Sequence, residues 1–127
     1  MKIEHVALNV AEPVAMAKWY VEHLGLRVVR AGGTPAFARF LADDSGQAVL
    51  EIYHNPSAVV PHYAALPPAS LHLALASADV PADRHRLIAA GGTAEGGIDV
   101  AENGDTFAIV RDPWGVPLQL VRRKTPL

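Results

Sequence analysis

Four residues stand out for the chemistry that their types allow. His5 and His72 lie 67 residues apart, and Glu51 and Gln119 lie 68 apart. Two imidazoles and a carboxylate are usual donors to a catalytic divalent transition metal. A carboxamide can add a weaker, uncharged carbonyl oxygen. Open coordination positions would hold water or substrate oxygens. Neutral histidine and ionised glutamate are the binding forms, so such a site is proton-sensitive. A lone strand histidine is more often a satisfied polar residue, and a lone strand glutamate more often solvated. Recurrence at matched offsets lifts these four above that background.

The elements that must position them repeat as well. Ile3-Glu4-His5-Val6-Ala7-Leu8 and Ser70-Leu71-His72-Leu73-Ala74-Leu75 share His-apolar-Ala-Leu, and each reads as a strand. Glu12-Pro13 follows the first, then Val14, Ala17, Val21 and Leu24 at helical spacing, then Gly25. Asp79-Val80-Pro81 follows the second, then Arg84, Leu87, Ile88 and Gly91-Gly92. Proline suits a helix's first turn and glycine its end. Three strand-like segments come next in each half: Leu26–Arg30, Phe37–Ala42 and Ala48–Tyr53, then Thr93–Val100, Thr106–Arg111 and Val116–Arg122. Asp43-Asp44-Ser45-Gly46 and Asp112-Pro113-Trp114-Gly115 are turn formers between the last two strands of each half. The fold class is therefore α+β, with each half reading β-α-β-β-β. Module one spans 1–54, a proline-bearing connection 55–69, and module two 70–123.

Strand alternation sorts the faces. Val6, Leu8 and Val10 share one face, and Leu71, Leu73 and Leu75 the equivalent one. His5 and His72 point to the other side, beside the small residues Ala7, Ala74 and Ala76. Glu51 stands opposite in facing to Leu50 and Ile52, and Gln119 to Leu118 and Leu120. All four polar residues are expected to line one concave surface.

Composition narrows the function classes. The chain has 127 residues, half of them hydrophobic, and a formal net charge of −2. A nucleic-acid footprint normally needs a basic face, so none is expected. The absence of cysteine excludes disulfides, thiolate zinc sites and cysteine nucleophiles. No signal peptide or membrane span is read, and a soluble, cytoplasmic protein is expected. No serine nucleophile elbow or Walker loop is present.

On these residues the chain resembles the vicinal oxygen chelate superfamily of glyoxalases, ring-cleaving dioxygenases and bleomycin-resistance proteins. The resemblance is carried by the paired βαβββ units, by His5-Val6-Ala7-Leu8 and by Val49-Leu50-Glu51-Ile52-Tyr53. It extends to His72-Leu73-Ala74-Leu75, to Ala89-Ala90-Gly91-Gly92 and to Arg111-Asp112-Pro113-Trp114-Gly115-Val116-Pro117-Leu118-Gln119-Leu120. It implies paired modules whose sheets curl into a half-open barrel around a metal, with His5, Glu51 and His72 as ligands and Gln119 in the fourth place. The implied ion is nickel, zinc, manganese, cobalt or iron(II), and its implied work is to hold adjacent substrate oxygens and stabilise an enediolate-like anion or activate dioxygen. Glutamate is the usual fourth ligand of glyoxalase I, and glutamine cannot accept and return a proton as glutamate does. Glu51 then serves as the only carboxylate of a two-His, one-carboxylate site or as a base when displaced from the metal, and Gln119 as a ligand or hydrogen-bonding group. The implied activities are a metal-dependent lyase, isomerase or dioxygenase acting on a small molecule, or metal-free binding of a small molecule or antibiotic. A homodimer is the implied assembly, with modules paired within one chain or across two.

Arg39, Arg111, Tyr53 and Trp114 are candidates for an anionic or aromatic group, whereas Phe37 and Phe107 read as packing. Trp19 and Tyr20 read as packing on the sheet or across a dimer. His23, His54, His62 and His85 lack the matched placement and read as surface residues.

Overall fold

The computed structural model describes residues 1–46 and 48–127. It divides into two compact units, Met1–Pro61 and His62–Leu127. In the first, strand β1 (Val6–Asn9) leads to helix α1 (Pro13–Leu24), and then to β2 (Arg27–Ala31), β3 (Arg39–Ala42) and β4 (Ala48–Tyr53). In the second, a short 3-10 turn (Tyr63–Ala65) precedes β5 (Leu73–Ala76), α2 (Val80–Ala89), β6 (Thr93–Val100), β7 (Thr106–Arg111) and β8 (Pro117–Arg122). The strand orders are β1-β4-β3-β2 and β5-β8-β7-β6. Strand pairing among the described residues thus makes two four-stranded mixed sheets and does not close the eight strands into a barrel.

Each unit closes by the same device. Its first and last strands pair in parallel, while the other pairings are antiparallel. Parallel neighbours need a long crossover, and the helix and two middle strands supply it. α1 packs on β2, β3 and β4, and α2 packs on β6, β7 and β8.

The buried stripe of α1 differs from the expected one. Pro13, Met16, Ala17 and Tyr20 are buried at helical spacing, with Trp19 beside them. Val14 and Val21 are instead exposed, at 48% and 40%. The large ring and thioether take the sheet side because they remove more apolar surface from water than valine does. Gly25 ends the helix at φ 71, the left-handed cap that glycine adopts without a Cβ penalty. In the second unit Val80 and Leu87 are buried and Ile88 half-buried. Asp79 caps α2 by accepting from the Ala82 N–H at 3.0 Å.

The turn after β7 is tightly built. Asp112 Oδ1 accepts from the backbone N–H groups of Trp114 (2.9 Å) and Val116 (2.8 Å). Gly115 sits at φ 90, and a Cβ there would lie 2.6 Å from the Ala64 nitrogen. The turn before β7 is tied to the end of β8. Asp105 is buried, and its carboxylate accepts from the Lys124 N–H (2.9 Å) and Arg123 Nη1 (3.1 Å). The Lys124 N–H, then Asn103 and Arg123, hold this carboxyl below the ordinary carboxylate range against the opposing effect of desolvation.

No helix among the described residues is long and apolar enough to cross a membrane.

Three stability outcomes are expected. Asp79→Ala costs about 1 kcal/mol in urea unfolding through the lost cap. Gly115→Ala costs about 1–3 kcal/mol from backbone strain alone, with the Ala64 clash added. Because the unfolded chain takes up a proton on Asp105 before the native one does, that group's contribution is whole above the ordinary carboxylate pKa and fades as pH falls through the lower native value. Acid unfolding followed by circular dichroism should therefore be less steep in Asp105→Asn than in the parent.

Candidate functional site

The parallel pairs set the site. Ala7 is in register with Glu51, and Ala74 with Gln119. His5 and His72 each stand two residues before those alanines, so each is a diagonal neighbour of the acid or amide on the adjoining strand. Both histidines immediately precede their strands, which begin at Val6 and Leu73, rather than lying within them as expected. The physical reason is that parallel pairing starts only at Val6↔Leu50 and Leu73↔Leu118. Free of the ladder, the backbone there leaves the imidazoles at the sheet's margin.

His5 and Glu51 are brought together. His5 Nε2 lies 3.2 Å from Glu51 Oε2. The other ring nitrogen, Nδ1, is held by the Glu4 carboxylate. Phe40, in register with Glu51, meets the His5 ring edge-on at 5.5 Å and 89°. His5 therefore has one fixed orientation. Its hydrogen bond to Glu4 raises its pKa above the usual imidazole value, desolvation opposes this, and the charges of Glu4 and Glu51 add to the rise.

His72 is set in the same way by a different partner. Its Nδ1 lies 2.8 Å from the Pro68 carbonyl oxygen. A carbonyl only accepts, so Nδ1 carries the hydrogen, and in the neutral ring the lone pair is then on Nε2. Gln119 is half-buried on β8, between Ala74 and Ile109 in register. Among the described residues, no group of three or more His, Cys, Asp or Glu side chains is gathered that would hold a metal ion.

The donors of the first unit nonetheless fit a divalent ion. Ligands at about 2.1 Å from a common metal stand about 3.0 Å apart at a right angle and about 3.4 Å apart at a tetrahedral angle. The 3.2 Å between His5 Nε2 and Glu51 Oε2 falls in that span. A ring whose Nδ1–H is bonded to a carboxylate or carbonyl is the usual arrangement behind a metal-ligating Nε2. Both His5 and His72 have it.

Several candidates for substrate contact are otherwise engaged. Arg39 Nη1 donates to the carbonyls of Gly32 (2.8 Å), Phe37 (3.0 Å) and Ala38 (2.9 Å). Arg111 donates to those of Tyr63, Gly115 and Leu66, and its Nε pairs with Glu95. Both guanidiniums are structural clamps on loops. Phe37 is not core packing: it is 40% exposed, at φ 46, in the loop that Arg39 clamps, and β3 consequently starts at Arg39. Phe107 is half-buried with the Arg123 guanidinium 5.9 Å from its ring centre. Trp19 and Tyr20 are buried within the first unit. His54 Nδ1 bonds the Val10 carbonyl at 3.0 Å, tying the end of β4 to the end of β1. His62 and His85 are exposed.

Metal-free protein should show a His5 imidazole that titrates above the usual histidine value in proton NMR, and Glu4→Gln should bring it back towards that value. An unchanged titration would contradict the Glu4 hydrogen bond.

A family model described as "Glyoxalase/Bleomycin resistance protein/Dioxygenase superfamily" matches residues 2–120. No match is found among curated proteins. Among solved structures, that of SMU.1112c has 28% identity and a TM-score of 0.72, covering 96% of this chain and 98% of that one. A glyoxalase family protein from Enterococcus faecalis has 28% identity and a TM-score of 0.71, covering 95% and 97%. TnmS3, an antibiotic binding protein from Streptomyces sp. CB03234, has 22% identity and a TM-score of 0.68, covering 98% and 97%, a likeness of fold.

Proposed function

We propose a function from one established premise: the chain belongs to the glyoxalase/bleomycin resistance protein/dioxygenase superfamily. That superfamily commonly uses metal ions, and its members bind small molecules, antibiotics among them. We infer that this protein is a metal-dependent lyase, isomerase or dioxygenase of the glyoxalase-like kind. Its substrate is a small molecule presenting two adjacent oxygens. His5, Glu51 and His72 hold the ion and Gln119 takes the fourth place. Each module brings half of the set, whether the two halves that meet come from one chain or from two copies in a homodimer.

The observation that carries this is the paired preparation of the imidazoles. His5 and His72 each have Nδ1 engaged by an oxygen acceptor, and His5 Nε2 stands at ligand-to-ligand distance from Glu51. His54 shows that such an Nδ1 contact also serves structure alone, and it is the recurrence at equivalent positions of two modules, beside Glu51 in the first, that supports the reading. A bound divalent ion, nickel, zinc, manganese, cobalt or iron(II), would supply Lewis-acid polarisation of the substrate oxygens.

The chain's own groups divide the remaining work. Glu51 is the one carboxylate of the four and therefore the group that takes and returns a proton. Gln119 cannot do so; its carbonyl ligates or its amide donates a hydrogen bond to a substrate oxygen. Phe40 shields one edge of His5 and lowers the polarity beside Glu51. The same glutamine supports a second function, metal-free binding of a small molecule or antibiotic, since it removes one of two proton-transfer groups without closing the surface to a ligand. The cytoplasm is the compartment in which we place either activity.

Metal content of tag-free protein purified without chelators, read by inductively coupled plasma mass spectrometry, separates the two. Near-stoichiometric metal is expected, with affinity lowered by at least about tenfold in His5→Ala and in His72→Ala. Glu51→Gln should lower turnover of the substrate found by screening by about a hundredfold or more. No metal after incubation with each of the five ions would leave the binding function standing and refute the chelate.

A further inference from the structure

The alternating face of β5 that carries Ala74 and Ala76 continues from His72 into a cavity of about 560 Å³. Its floor is a run of small residues, Ala74, Ala76 and Ala78, beside Val121 of β8. Pro126 and Leu127 line it as well. The volume lies within the range of about 300–1,000 Å³ usual for small-molecule sites. The lining is mainly apolar, and two arginines stand at it, Arg122 and Arg123.

The two arginines are not equivalent. Arg123 is spent on Asp105 and lies over the Phe107 ring. Arg122 is exposed, and its guanidinium has no hydrogen bond or ion pair among the described residues. It also lines a neighbouring, more polar recess with Thr106 and Lys124. Arg122 also shares a recess with Asp79 without pairing to it, and an apolar trough lined by such an unpaired, fork-shaped cation is complementary to a molecule with an apolar body and a carboxylate, sulfonate or phosphate end.

We propose that this trough holds the apolar body of an amphipathic organic anion, with Arg122 binding the anionic end. The inference deepens the function proposed above and rests on it for one point only: the ligand's other end reaches His72. From His72 to Ala76 the extended chain runs about 13 Å, so the ligand has its oxygen-bearing and anionic ends roughly that far apart. The alanines at 74, 76 and 78 are then size determinants, because any larger side chain would occupy the volume meant for the ligand.

Fluorescence titration of the full chain with 8-anilinonaphthalene-1-sulfonate tests this. N-phenyl-1-naphthylamine, the same body without the sulfonate, is the neutral control. Saturable binding of the sulfonate is expected in the parent. Ala76→Phe should weaken both probes by about tenfold or more, by filling the trough. Arg122→Gln, a surface change that leaves the core alone, should weaken the sulfonate by about tenfold and leave the neutral probe unchanged. Absent binding in the parent, or a sulfonate affinity unmoved by Arg122→Gln, overturns the proposal. Metal content read on the same samples keeps the two ideas apart. A parent that takes up no metal but shows the expected probe pattern refutes the ligand set and supports the trough. A parent that takes up metal but whose probe affinities ignore both substitutions refutes the trough and supports the ligand set.

Discussion

Parallel pairing between the first and last strands of each unit is the constraint on which the remaining features depend. It forces β4 and β8 into the middle of their sheets, beside strands that precede them by more than forty residues. It also fixes which side chains meet. With Ala7 against Glu51 and Ala74 against Gln119, the histidine two positions earlier is bound to lie diagonal to the acid or the amide. A slip of one residue would turn Glu51 or Gln119 to the core face, where Leu50, Ile52, Leu118 and Leu120 are buried. The apolar core therefore protects the register, and the register places the polar groups.

Around that frame the polar side chains divide by what they bond. Arg39 and Asp112 spend their capacity on loop backbone, Arg111 on loop backbone and Glu95, and Asp105 on Arg123 and on loop and strand-end backbone; such satisfied bonds set loop positions. His72 bonds the Pro68 carbonyl through Nδ1, and His5 bonds Glu4 through the same nitrogen. The second nitrogen of His5 faces a carboxylate, an arrangement that a proton or a metal cation stabilises equally well in kind. Gln119 introduces asymmetry into the duplicated scheme, because its carboxamide offers donor and acceptor but no charge.

Much of this was legible in the sequence because duplication states each feature twice. β4, β6 and β7 fall where alternation and turn residues placed them, and Gly25 ends α1 as expected. Other features are set by forces that spacing does not encode. The buried stripe of α1 departs from the apolar spacing because apolar type alone ranks Val14 and Val21 with Met16 and Tyr20, whereas volume decides which side reaches the sheet. Arg39 and Arg111 looked available because a sequence does not show which backbone carbonyls a loop leaves unpaired. The strand starts at Val6 and Leu73 depend on where the partner strand's ladder begins. The hydrogen bonds that fix His5 and His72 come from Glu4, a sequence neighbour, and from Pro68, four residues back, and the second had no signal beyond a proline-rich connection.

His5 and His72 are both held at Nδ1, the arrangement usual behind a metal-ligating Nε2. Long-range proton–nitrogen correlation NMR on ¹⁵N-histidine protein reads this directly, first metal-free at a pH above the imidazole titrations and then during addition of zinc. His5 and His72 are both expected to carry their hydrogen on Nδ1, and both Nε2 resonances to move to the position of a metal-bound nitrogen at one equivalent while His62 and His85 stay put. Mixed tautomers at His5 and His72, with no Nε2 movement at either, would contradict it.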